Sequence, residues 1–211
     1  MKIAIIGAGN VGGGLAAAAT QAGHAVVLSA DSASAAQEAA SKTGATAVAT
    51  NAEAVQGADL VVLAVPHSAV AAIVSELGDA LTGKTVVDVT NPLTDDYSGL
   101  TTTGVSAAEE LQAQVPGAVV VKAFNTIFAG RHGNPSEGGQ PLDAFIAADD
   151  DVAKKAVSTL AESLGYRAID AGGLRMARSL EEMAFLNISL NASNGWTWQS
   201  GWKLVGPTAA A

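Results

Sequence analysis

The sequence predicts an α/β fold: a doubly wound, mostly parallel sheet followed by a small C-terminal helical extension. Three observations predict it. Short β-branched runs alternate with longer alanine-rich segments, the pattern of strands buried on both faces and joined by crossover helices. Glycines stand where the helical segments should close, at Gly23, Gly44 and Gly165. The first apolar run, Lys2–Ile6, opens directly into a glycine-rich turn. At 211 residues the chain suits one domain with a modest appendage, and 49% hydrophobic with 15% charged residues is the composition of a folding chain.

Taken in order, strands are expected at 2–6, 25–29, 45–48, 60–65, 85–89, 119–123, 144–147 and 167–170, each short, apolar and rich in Val, Ile or Ala. Helices are expected at 10–22, 33–42, 69–77, 106–114 and 151–164, with a last one from about 178 to 191. Asp149, Asp150 and Asp151 precede the fifth helix and suit its positive N-terminal end. Two stretches read as loops: 91–104, rich in Thr, Asp and Gly, and 130–141, GRHGNPSEGGQP. Each follows the C-terminal end of a strand, where ligands of open parallel sheets bind, so either would serve as a cover or as a plain surface loop. The end of the chain, 207–211, is expected to fray.

The balance of charge excludes several functions. Eleven Lys and Arg against twenty Asp and Glu give a formal net charge of −9, which opposes attraction to a polyphosphate, so nucleic acid is not an expected partner. No run approaches the roughly 20 apolar residues a bilayer needs, and the N-terminus reads as a strand rather than a signal peptide; no membrane partner and a cytoplasmic location are the expectation. With no cysteine and no metal-ligand spacing among His24, His67 and His132, neither thiol nor metal chemistry is predicted. Redox work would need a cofactor.

The first turn reads Gly7-Ala8-Gly9-Asn10-Val11-Gly12, a complete G-x-G-x-x-G between a strand and a helix. This is the fingerprint of a Rossmann-type dinucleotide site. Gly7 permits the tight turn, Gly9 lets the backbone approach a pyrophosphate, Gly12 allows close helix–strand packing, and the helix aims unpaired N–H groups at the anion. Gly13 and Gly14 extend the small surface, for packing or for ligand approach. The second strand ends at Ser29-Ala30-Asp31-Ser32, where the adenine ribose should lie. Asp31 follows Gly9 by 22 residues, close to the spacing of an acid that accepts from the ribose 2′-OH of NAD. Ser29 and Ser32 would instead donate to the extra phosphate of NADP, and Asp31 would then merely start a helix. The cofactor is therefore NAD or NADP. Ala64, Val65 and Pro66 stand at the end of the fourth strand and would border the ribose and nicotinamide, with Asn91 at the end of the fifth. His67 is placed to touch the ribose, exchange a proton with substrate, or simply begin a helix.

These residues resemble a known family. The opening glycine turn, Val65-Pro66-His67, the run Val120-Val121-Lys122-Ala123-Phe124-Asn125-Thr126-Ile127, and Ala171-Gly172-Gly173-Leu174 before an apolar helix together resemble the NADPH-dependent coenzyme F420 reductases over nearly the whole chain. The Lys-Ala-Phe-Asn-Thr run is also similar to the oxidoreductase domain of the STEAP metalloreductases. The resemblance implies a compact Rossmann domain, dimeric, passing hydride between a nicotinamide and a deazaflavin (F420) or flavin-like acceptor. It places the dinucleotide against Gly7, Ala8, Gly9, Asn10 and Val11, its nicotinamide side against Ala64, Val65, Pro66 and His67, and the second ring among Asn125, Thr126 and Ile127; Ala123 is counted with the cofactor-binding residues. Transfer between two cofactor rings asks for alignment rather than a side-chain acid, so no catalytic residue is assigned beyond the candidates His67 and Asn125. Two departures stand out. The arginine expected after the serine of the second strand is replaced by Ala30 and Asp31, and a proline after the sixth strand is replaced by Phe128, which would stack on a flat ring or, the reading preferred, fill core.

On these grounds residues 1–171 form the dinucleotide-binding domain, and 172–211 an extension completing the acceptor pocket and a homodimer interface. Asn187 and Asn191 share a helix face and would bond to backbone, to a partner subunit or to a ligand; Trp196, Trp198 and Trp202 would anchor an interface or cover core. Arg178 and Glu182 read as ordinary helix surface. The partner is a small-molecule acceptor. Two other readings remain: a β-hydroxyacid dehydrogenase or imine reductase acting on a small carbonyl or imine, and a non-catalytic dinucleotide sensor.

Overall fold

The computed structural model describes residues 1–206 and Thr208; Thr208 apart, the end expected to fray lies outside the described residues. The chain runs β1 (Lys2–Ile6), α1 (Asn10–Gln21), β2 (Ala25–Ser29), α2 (Ala33–Thr43), β3 (Thr46–Ala47), α3 (Asn51–Val55), β4 (Leu60–Leu63), α4 (His67–Leu77) and β5 (Thr85–Asp88). It continues through α5 (Ala107–Gln114), β6 (Val119–Ala123), β7 (Ser136–Glu137), β8 (Gln140–Pro141), β9 (Asp143–Ala147), α6 (Asp151–Ser163), β10 (Arg167–Gly172) and α7 (Ala177–Asn194).

Eight strands form one sheet in the order β10-β9-β6-β5-β4-β1-β2-β3, and β7–β8 is a separate hairpin. All neighbours are parallel except β6 and β9, which pair antiparallel through Lys122↔Ala147 and Ala123↔Ile146. The predicted doubly wound, mostly parallel sheet is what forms. Alternation along β1 shows why both faces are covered: Ile3 and Ile5 join the core beneath α1 and α6, while Ala4 and Ile6 join the one beneath α4 and α5. Chain order reverses between β1 and β4, and a crevice opens outside their C-terminal ends.

The glycine stops hold, with Gly23, Gly44 and Gly165 at φ of +83°, +76° and +90°. Asp150 caps α6, accepting from Ala153 N–H at 2.8 Å, and Asp149 accepts from Leu174 N–H at 2.8 Å. The structure departs from expectation in three places. α3 is only five residues long, too short for a periodic signal, and is capped by Thr50. The 130–141 stretch, read as an open loop, instead holds a short 3₁₀ turn at Ala129–Arg131 and the β7–β8 hairpin. β9 reverses direction because the chain returns from β6 through that hairpin rather than through a helix.

Candidate active site: a cleft at the sheet switch point

The glycine turn is built as its spacing demands. Gly7 has φ +107°, and a Cβ there would stand 2.2 Å from the carbonyl oxygen of Ala64. At Gly12 a Cβ would meet the oxygen of Gly7 at 1.9 Å, so this glycine exists for packing. Gly9 differs: it has ordinary φ of −69°, caps α1 without any side-chain hydrogen bond, and a Cβ on it would meet nothing within 4 Å. That open side is where a ligand can press against the backbone, beside the N–H groups that the first turn of any helix leaves unpaired. Gly14 belongs to packing, since a Cβ there would lie 3.1 Å from Ala129 O and 3.3 Å from His132.

Gly9, Asn10 and Val11 border a cleft of about 720 Å³ with Ala64, Val65, Pro66, His67, Thr90 and Asn91. Its far wall comes from the loop after β5, including Leu93, Thr94, Tyr97 and Thr101. This loop does cover the crevice. It is pinned by a Leu93–Leu100 bridge and by Thr94 and Ser98 hydroxyls donating to Asp96, which hold that carboxyl down at about 2. Loop 130–141 does not line this cleft.

A smaller cavity of about 260 Å³ adjoins it, sharing Asn10, Val11, Val89 and Asn91, and is otherwise lined by residues 124–129 together with Ala184, Asn187 and Ile188 of α7. Phe124 turns the chain there with φ +61°, a left-handed conformation that costs a bulky residue about 1–3 kcal/mol. The turn is held by a reciprocal amide pair: Asn91 Nδ2 donates to Asn125 O and Asn125 Nδ2 to Asn91 Oδ1, both at 2.9 Å. Asn125 Nδ2 also donates to Leu180 O at 3.0 Å, tying α7 to the turn.

Beneath lies a network that the sequence does not reveal. Lys122, wholly buried, donates from Nζ to Asp88 at 2.8 Å and to Thr90 O at 2.7 Å, and pairs with Glu181 at 2.8 Å. Burial opposes its charge, but the two carboxylates outweigh burial and push its pKa up. Glu181 in turn accepts from Ala107 and Ala108 N–H at the start of α5. Lys122 thus links β5, β6, α5 and α7 under the two cavities.

Four buried polar atoms around these cavities have no hydrogen-bond partner among the described residues: His67 Nδ1, Thr90 Oγ1, Asn125 Oδ1 and Thr126 Oγ1. Buried polar groups are rarely left unpaired, so two such atoms at each of the two adjoining cavities fit a polar ligand there.

Other expected site residues fall elsewhere. Ala123 is fully buried in the core and lines neither cavity. Ser29, also fully buried, donates its hydroxyl to Asn51 Oδ1 at 2.8 Å. Ser32, not Asp31, caps α2, accepting from Ala35 N–H at 3.2 Å, while Asp31 stays exposed. His67 is the first residue of α4 and borders the larger cleft, whereas Asn125 borders the smaller, so the two do not form a couple. Phe128, expected in the core, is instead half-buried at the smaller cavity, its ring edge-on to Trp198 at 5.6 Å, because the C-terminal strap crosses there. Asn187 and Asn191 hold that strap: Asn191 donates to Ser200 Oγ at 2.6 Å, Ser200 to Asn187 Oδ1 at 2.7 Å, and Trp198 N–H to Asn191 Oδ1 at 3.2 Å. Arg178 pairs with Glu109 of α5, at 2.7 and 2.6 Å, rather than with Glu182. Among the described residues no group of three or more His, Cys, Asp or Glu could hold a metal ion, and no described helix is long and apolar enough to cross a membrane.

Comparison with known proteins decides the lineage. A family model described as "NADP oxidoreductase coenzyme F420-dependent" matches residues 2–92. The F420-dependent NADP reductase of Methanothermobacter marburgensis is 36% identical over 211 residues, covering 92% of this chain and 94% of that one. The chain belongs to the F420-dependent NADP oxidoreductase family. Family likeness holds in three dimensions: a provisionally named F420-dependent NADP-reductase of Arthrobacter sp. FB24 superposes with a TM-score of 0.86 at 30% identity, covering 97% of this chain and all of that one. The metalloreductase STEAP3 of Rattus norvegicus is 35% identical over 130 residues, 61% of this chain and 25% of its own length. An imine reductase of Streptomyces aurantiacus, at 20% identity and a TM-score of 0.68 over 90% of this chain and 61% of its own, shares the fold alone. The glycine turn, β4 and the amide of Asn91 lie within the matched residues; the 124–129 turn and α7 lie beyond them.

Proposed function

We propose that this member of the family transfers hydride between a nicotinamide dinucleotide in the larger cleft and a deazaflavin or flavin-like ring in the smaller one. The observation that carries the reading is the continuity of the two cavities: Asn10, Val11, Val89 and Asn91 border both, so two flat rings bound there would meet. The names of the relatives, F420-dependent NADP reductases, support the same pairing.

The dinucleotide supplies the hydride chemistry, and the chain's own part is placement. Gly9 and the N-terminus of α1 receive the pyrophosphate. Pro66 sends the chain off the sheet into α4, so that Ala64, Val65 and His67 border the nicotinamide half. The Asn91–Asn125 amide pair sets the distance between the cavities, leaving Asn125 Oδ1 and Thr126 Oγ1 to accept from or donate to the second ring. Loop 91–101 excludes water from the meeting point. No side chain is required as an acid.

Residues 1–171 serve as the dinucleotide domain, and the extension 172–211 completes the acceptor cavity through Ala184, Asn187 and Ile188. The exposed apolar residues Val105, Leu186 and Leu190 beside α7 support assembly as a homodimer. The test is to mix the protein with NADH or NADPH and with a deazaflavin, FMN or FAD, and follow nicotinamide absorbance. Oxidation coupled to deazaflavin or flavin reduction is the expected result; tight dinucleotide binding with no turnover on any acceptor would favour a sensor.

A further inference from the structure

The relatives are named for NADP, yet the lip of the ribose site in this chain carries an exposed carboxylate, Asp31. The end of β2 abuts the glycine turn, since Gly7 N–H donates to Ser29 O at 3.0 Å, so the residues just past Ser29 are the ones a bound adenine ribose would meet. The sequence leaves two hydroxyls there to receive a phosphate, and the structure removes one of them, Ser29. Ser29 is 0% exposed and its hydroxyl hydrogen is given to Asn51 Oδ1. Ser32 caps α2, its oxygen accepting from Ala35 N–H, and lies 3.2 Å from Ser34 Oγ; its own hydroxyl hydrogen is not committed to the cap, so the charge of the neighbouring Asp31 has to decide.

What remains is Asp31, exposed and with no hydrogen bond or ion pair to any described residue. Cations are wanting on this lip. Lys42 is the single Lys or Arg of α2; it sits in the last turn, about 15 Å of helix away from Ser32, and its ammonium is paired with Glu38 at 2.6 Å. Lys2 begins β1 and Lys84 just precedes β5, so both lie at the N-terminal ends of the strands, away from the C-terminal ends where the cleft opens.

We propose that Asp31 makes this chain select NAD(H) over NADP(H), its carboxylate accepting from the ribose 2′-hydroxyl and repelling a 2′-phosphate. The inference rests on the dinucleotide reading above and adds which dinucleotide. A lone carboxylate facing a phosphate near two negative charges in open solvent should weaken NADPH about tenfold relative to NADH.

The experiment is equilibrium binding, read from nicotinamide fluorescence and thermal shift with no acceptor present, for the native protein and for Asp31→Asn and Asp31→Arg. Because Asp31 is exposed and unpaired, both variants should fold. The native protein is expected to bind NADH about tenfold more tightly than NADPH, Asp31→Asn to narrow that ratio, and Asp31→Arg to invert it. Added salt should narrow the native ratio as well, since it screens the repulsion. A native preference for NADPH, or a ratio unmoved by Asp31→Arg, would overturn the assignment and leave the dinucleotide reading standing. Binding of neither nucleotide would overturn both.

Discussion

Replacing Gly9 by alanine separates what the glycine turn does for folding from what it does for binding. The residue has φ −69° and ψ −169°, which alanine adopts without strain, and the added Cβ would meet nothing within 4 Å. The folding cost is then confined to a poorer helix N-cap, about 0.5–1 kcal/mol, or about 2–4 °C of melting temperature in a chain of this size. Binding should respond quite differently. A methyl group at the point of closest backbone approach would hold a pyrophosphate off the N-terminus of α1, and losing even two well-made charge-assisted hydrogen bonds at about 1.5–3 kcal/mol each weakens binding on the order of a hundredfold or more. Gly12→Ala is the contrasting control. Its Cβ would lie 1.9 Å from a backbone oxygen, so it should cost several kcal/mol of stability through overpacking. Calorimetric unfolding with fluorescence titration of NADH and NADPH measures both quantities. Native-like affinity in Gly9→Ala would refute the placement of the pyrophosphate at Gly9.

Further outcomes follow from other parts of the structure. Lys122→Met leaves Asp88 and Glu181 buried without their cation and should cost about 3–5 kcal/mol, seen as a melting temperature lowered by about 10 °C. Arg178, bonded to Glu109, holds that carboxyl at about 2 against 4.5 when free. The stability this adds is complete above pH 4.5 and is lost as the pH falls towards 2; Glu109→Gln should flatten that part of the acid-unfolding curve. Burial lowers the His132 pKa from 6.5 to about 4, so the unfolded chain binds the proton first and stability declines as pH drops from 6.5 to 4. An NMR titration of the His132 ring should show that low midpoint. Trp198, 45% exposed and edge-on to Phe128, should when changed to Ala raise KM for the acceptor several-fold while leaving dinucleotide affinity and melting temperature nearly unchanged.

Much of the dinucleotide half was legible in the chain because its determinants are local. Gly7, Gly9 and Gly12 are fixed relative to one another by a single turn, and Pro66 redirects the chain within one residue. The acceptor half was less so. Phe128 and Trp198 are 70 residues apart, and only the strap laid down by Asn187, Asn191 and Ser200 brings the rings together. Ala123 was misplaced because a strand residue faces ligand or core according to register, which its neighbours in sequence do not reveal. The same holds for Ser29, whose hydroxyl was taken by a residue of the unforeseen helix α3.

By itself the sequence determined the alternating fold, the glycine turn and the negative charge at Asp31, since backbone conformation and hydrophobic period are written within a few residues of where they act. Tertiary structure alone decided that Lys122 is held between Asp88 and Glu181, that Asn91 and Asn125 lock two strand ends together, and that the Ser29 hydroxyl near Asp31 is already given to Asn51. Each of these depends on which groups meet across strands or between helices, and a buried polar atom takes whatever partner packing brings to it.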